Sequence, residues 1–159
     1  MWDETKLTEL LEQKKQRFLE YEQITNEMLF CDSDNLEEQM GERVRLIHAI
    51  DRLDEAVKAV CDDAGEEGAM LRQAVRANGE RGALPAAMRA VFDQTIEIRA
   101  VISRLPDLDQ QLEMRLCQER DSVLEQIKSA NRGQGAQAAR YYGGMGQQQH
   151  PQGFQFGNA

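Results

Sequence analysis

Histidine and cysteine are the side chains that do acid–base, nucleophilic and metal chemistry most readily near neutral pH, and this chain has two of the first and three of the second. His48 stands beside Ile47 inside a helical pattern, and His150 lies in a Gln-rich tail. Neither has a local arrangement of the triad or dyad kind. Cys31 with Asp32 and Asp34, and Cys61 with Asp62 and Asp63, bring sulfur and oxygen donors together, but no CxxC or paired-His spacing accompanies them. They read as small hydrophobes at helix ends beside capping acids. Asp32-Ser33-Asp34 has the opening of a calcium loop without its glycine or its terminal glutamate. Gly65-Glu66-Glu67-Gly68 and Gly79-Glu80-Arg81-Gly82 lack the Gly-Lys-Ser/Thr ending and the preceding strand of a phosphate cradle. No catalytic, cofactor-binding or metal-ligating residue is assigned, and the expectation is a protein that is not an enzyme.

The remaining chemistry is that of surfaces. The net charge is −9, and the stretch from Lys128 onward holds Lys128, Arg132 and Arg140 with no carboxylate, which leaves the rest at −12. So acidic a body repels phosphate backbones, and no nucleic-acid partner is expected. Three widely spaced cysteines do not form a disulfide framework and suit a reducing cytoplasm. The start, Met1-Trp2-Asp3-Glu4-Thr5-Lys6, has no signal-peptide pattern, and no uncharged apolar run approaches the length of a membrane span. A cytoplasmic protein without membrane insertion is the expectation.

Stepping along the chain, apolar residues recur at the spacing of helices. Leu7, Leu11, Phe18, Tyr21 and Met28, with Lys14 and Thr25 filling the seam, make one stripe over about seven turns from Asp3 to Leu29. After the break Cys31–Asn35, with Asp34 and Glu37 placed as a variant capping box, a second helix runs to about Cys61. Its seam is Leu36, Met40, Val44 (or Arg43), Ile47, Ile50, Leu53 (or Asp54), Val57 and Val60. So short a linker makes the two helices an antiparallel hairpin. Asp62–Gly68 stops the second helix, and Met70, Leu71 and Val75 support only a short one before a loop at Gly79–Gly82. Pro85 opens a third long helix, with Met88, Phe92 (or Val91), Thr95, Ile98, Ile102 and Leu105 on one face. Pro106 must interrupt it, as a hinge or a tight joint.

Beyond Pro106 the stripe Leu108, Leu112, Leu116, Val123 (or Leu124) and Ile127 reaches about Ala130, but Cys117 and Arg120 dilute it. A helix with an incomplete apolar face suits a partner better than a core. Leu108, Leu112, Leu116, Val123, Leu124 and Ile127, with Tyr141 after them, are the expected partner-binding residues. From Gly133 the Gly/Gln-rich composition predicts a disordered tail. The fold expected is therefore all-α: an antiparallel bundle or long helical hairpin of three to four long helices over residues 1–132, with a tail over 133–159.

This layout resembles the bacterial flagellar export chaperones of the FlgN type. The likeness lies in Leu7-Thr8-Glu9-Leu10-Leu11-Glu12-Gln13, in Asn35-Leu36-Glu37-Glu38-Gln39, and in Leu116-Cys117-Gln118-Glu119-Arg120-Asp121-Ser122-Val123-Leu124-Glu125-Gln126-Ile127. Most of all it lies in the basic, alanine-containing close from Ser129 to Tyr141. The Gly65–Gly82 region and the Gln-rich tail depart from it. The resemblance implies a chaperone that binds the helical termini of hook-filament junction proteins and prevents their early assembly before secretion. The residues also suit a second reading, a self-associating scaffold that pairs through its diluted seam.

Overall fold

The two apolar stripes nearest the N-terminus pack on each other. The computed structural model describes the backbone of residues 1–146 and the side chains of residues 1–140 except Ala138. Helix α1 spans Glu4–Met28, and Asp3 caps it by accepting the amide of Lys6 at 2.9 Å. Its Leu7, Leu11, Thr25 and Met28 are buried, as the stripe predicts. Thr25, a polar residue in that seam, donates its hydroxyl to the carbonyl of Tyr21 at 2.7 Å and so costs little to bury. Helix α2, Leu36–Asp62, follows a single 3-10 turn at Ser33–Asn35. Its N-cap position falls on Asn35, which makes no side-chain cap bond, so the chain enters α2 through that turn and not through the expected capping box. Lys14 pairs with Asp54 at 2.6 Å, and Tyr21 meets Arg43, so the two helices run antiparallel.

Gly65, at a φ of 64°, turns the chain out of α2, and the eight-residue α3 (Gly68–Val75) closes that end of the bundle with Leu71 and Ala74 fully buried. Trp2 packs on the same cluster and donates its indole N–H to Glu67 at 3.1 Å. Gly79, φ 78°, and a 3-10 turn at Arg81–Ala83 lead to α4, Ala86–Ile102, with Pro85 in its N-cap position. Helix α4 runs parallel to α1: Gln94 donates to the Thr8 carbonyl at 3.2 Å and Lys15 pairs with Glu97 at 3.0 Å. Met88, Val91, Ile98 and Val101 form its buried face. Val91 is thus inward where Phe92 was the other choice, and Val101 takes the place expected of Ile102.

Helix α4 ends at Ile102. Ser103 and Arg104 make a turn, and α5 begins at Leu105, which puts Pro106 in a first turn where its missing amide is no loss. The proline therefore sits at a joint between two helices, not inside a bent one. The protein is all-α, with no strand among the described residues. Helix α5 continues from Leu105 to Gly146, so it does not stop near Ala130, and residues 133–146, expected to be tail, are helical. Gly133 and Gly135 each cost a helix about 1 kcal/mol, and the Ala, Gln and Arg residues around them are good helix formers. The expectation for residues 147–159 lies outside the described residues. Contacts divide the chain into two units, Met1–Arg115 and a second that begins at Leu116, well before the expected boundary at Gly133.

Candidate functional site

Three polar groups fix the start of α5 within the first unit. Arg104 grips both oxygens of Glu22 on α1, at 2.7 and 3.1 Å, and the guanidinium is held above its ordinary value by that hydrogen bond. Asp109 accepts from Arg43 of α2 at 2.8 Å and from the Tyr21 hydroxyl at 3.4 Å, while Arg43 lies over the Tyr21 ring, 4.6 Å from its centre. Arg115 donates to the carbonyls of Met28 and Cys31, and so satisfies orphan acceptors where α1 ends.

The Arg43 contact explains why α2 does not present the face its sequence suggests. Of the alternatives Val44 and Arg43, it is Arg43 that turns inward, and Leu46 is buried in place of Ile47, while Ile50, Val57 and Val60 are buried as expected. Met40, Val44 and Ile47 are left 38%, 46% and 44% exposed. An open apolar hollow of ≈ 320 Å³ adjoins this stripe, lined by Phe18, Tyr21, Ile47, Ile102, Leu105 and Pro106 among others. Reading hydrophobicity alone misses this. The signal was an arginine at seam spacing opposite an aromatic and an aspartate.

The expected partner residues separate into two groups. Leu112 is 1% exposed and belongs to the bundle interior, and Leu108 is half-buried beside it. Leu112 is corrected from a partner contact to bundle packing, because α1 and α2 hold this part of α5 through the polar groups just described. Leu116, in the second unit, is half-buried. Val123, Leu124 and Ile127 are 51%, 47% and 50% exposed, and every described side chain from Arg120 to Arg140 is exposed. Residues 116, 123 and 127 fall on one face of a helix, with 124 at its edge. The side chain of Tyr141 lies outside the described residues, although its backbone is part of α5.

Groups able to do covalent or metal chemistry stay apart. No cluster of three or more His, Cys, Asp or Glu side chains converges among the described residues, and no described helix is long and apolar enough to cross a membrane. His48 is exposed on α2. Cys61 is buried, and that burial holds its thiol above the ordinary value against the pull of Arg72 and Arg76.

The fold and this site define an all-α protein whose last long helix presents apolar side chains to its surroundings. No family model matches the chain, and no curated protein or solved structure matches it.

Proposed function

We propose that this protein is a helix-binding chaperone that holds the amphipathic terminal helices of protein clients against the apolar face of α5. The observation that carries the reading is the exposure of Val123, Leu124 and Ile127 at helical spacing, in a stretch of α5 where every described side chain from Arg120 to Arg140 is exposed. Contiguous apolar surface of this kind marks interaction sites, and a client helix would match it with leucines one turn apart. Together with the resemblance to FlgN-type proteins, this makes a flagellar export chaperone the specific form of the proposal. It would act in the cytoplasm, without catalysis, by covering the termini of hook-filament junction proteins until they are secreted. The test is gel filtration of the protein with those termini. A stoichiometric complex that Val123→Asp with Ile127→Asp abolishes supports the reading, and the absence of any complex with the unaltered protein overturns it.

A second reading has its own observation. In α5 from Leu116 onward, Glu119, Asp121 and Glu125 lie before Ile127, and Lys128, Arg132 and Arg140 lie after it, with Arg120 the one cation on the acidic side. Two copies of α5 laid antiparallel would set opposite charges against each other, so a self-associating scaffold is the alternative function. Mass that rises with concentration in sedimentation, and returns to the monomer value in Val123→Asp, would favour it.

A further inference from the structure

One side of the first unit gathers cations, against the acidic balance of the chain. Two hollows of ≈ 430 and ≈ 440 Å³, walled by residues of α1, α2, α3, α4 and the loop after α3, share Lys14, Val75 and Arg76. Lys58 and Arg72 stand in the wall of the first, and Arg99 in that of the second. These walls thus carry five cations and a single carboxylate, Asp54, which Lys14 already engages at 2.6 Å. Arg72 is held from outside the walls by Asp62, also at 2.6 Å. Neither Lys58 nor Arg76 has an ion pair among the described residues, and both are exposed. Between the cations lies apolar surface from half-buried Val75 and exposed Ile102, over the buried Val57 and Ile98.

Cations gathered along one wall raise the local potential, so the site attracts anionic groups from solution. A small inorganic anion would use one or two of the cations and none of the apolar surface. The cations are instead spread along two adjoining hollows, and the matching ligand needs carboxylates at intervals with apolar side chains between them.

We propose that this groove is a docking site for an acidic amphipathic segment of a protein partner, whose apolar side chains lie on Val75 and Ile102 while its carboxylates meet Lys58, Arg76 and Arg99. Charge complementarity fixes the occupant, because a neutral or basic helix would leave the cations unpaired and partly desolvated. The site lies wholly within the first unit and does not depend on α5 holding a client.

The experiment uses the full chain and two labelled synthetic amphipathic peptides of about 18 residues, long enough to form a helix on the groove. Both carry Leu at i, i+3, i+4 and i+7, one with Glu and the other with Lys at the remaining positions, and binding is read by fluorescence anisotropy. The Glu peptide should bind at least about tenfold more tightly than the Lys peptide, and its affinity should fall as salt rises from about 50 to about 500 mM. Lys58→Glu with Arg76→Glu should weaken it by about tenfold or more with an unchanged thermal melt, since both side chains are exposed. Val123→Asp with Ile127→Asp should leave it unchanged, which separates this groove from the face of α5. Equal binding of the two peptides, insensitivity to the charge reversals, loss of binding in the α5 variant, or displacement of the peptide by millimolar inorganic phosphate would each overturn the proposal.

Discussion

Arg43 is a charged side chain held largely out of water. Its side chain is only 13% exposed, yet it is neutralised by Asp109 and stacked on Tyr21, so removing it strands a carboxylate at the meeting of α1, α2 and α5. Arg43→Ala should cost about 1–2 kcal/mol, at the lower end for a charged hydrogen bond because Asp109 keeps access to water. Urea denaturation measures it, and a change below about 0.5 kcal/mol would mean that the cluster is ornamental. Arg81 binds both oxygens of Asp93, at 2.7 and 2.8 Å, and holds that carboxyl below its usual value. A folded value below the unfolded one gives stability that is present above the ordinary carboxylate range and lost as pH falls through the folded value. The melting-temperature gap between the unaltered protein and Asp93→Asn should therefore be present at neutral pH and close as pH falls through the folded value. Both groups face water, so that gap is small. Among the thiols, Cys31 and Cys117 should react with Ellman's reagent at mildly alkaline pH, and Cys61, buried and with a raised value, should lag well behind.

At the scale of elements, α5 carries two different physical environments along one helix. Leu112 is enclosed by the bundle, and Leu112→Ala should destabilise by about 2–5 kcal/mol through lost burial and the cavity left behind. Val123→Asp and Ile127→Asp remove apolar surface that is already half in water, so each should change stability by no more than about 0.5 kcal/mol. Thermal melts followed by circular dichroism check both, and a large loss in Ile127→Asp would show that this face is covered within the protein. The short α3 is a different case. It offers Leu71 and Ala74 to the cluster that also holds Trp2, Leu7 and Val57, so its eight residues depend on tertiary packing more than on their own helix propensity.

For the molecule as a whole, the buried cluster lies entirely within Met1–Arg115. A chain ending at Arg115 should therefore unfold cooperatively with a midpoint within a few degrees of the full chain, as measured by calorimetry. A broad or absent transition would mean that the residues from Leu116 onward contribute to the core after all. The same division bears on function, because binding lost on that truncation belongs to α5, whereas binding to the cationic groove should survive it.

The sequence by itself determined α1, α2 and their pairing. The three- and four-residue spacing of Leu7, Leu11, Phe18 and Met28 leaves no other face of α1 to bury, and a linker as short as Cys31–Asn35 permits only a hairpin. Pro85 and Pro106 marked helix starts for a local reason, the missing amide. Tertiary structure alone decided between neighbouring candidates in a seam, because the choice of Arg43 over Val44 depends on Tyr21 and Asp109, which lie 22 and 66 residues away. It also decided which leucines of α5 are enclosed, since Leu112 and Val123 are equivalent in local pattern and differ only in what stands opposite them. The cationic groove was invisible for the same reason. Its lysines and arginines are scattered over α1, α2, α3, the loop after α3 and α4, and a net charge of −9 conceals their convergence.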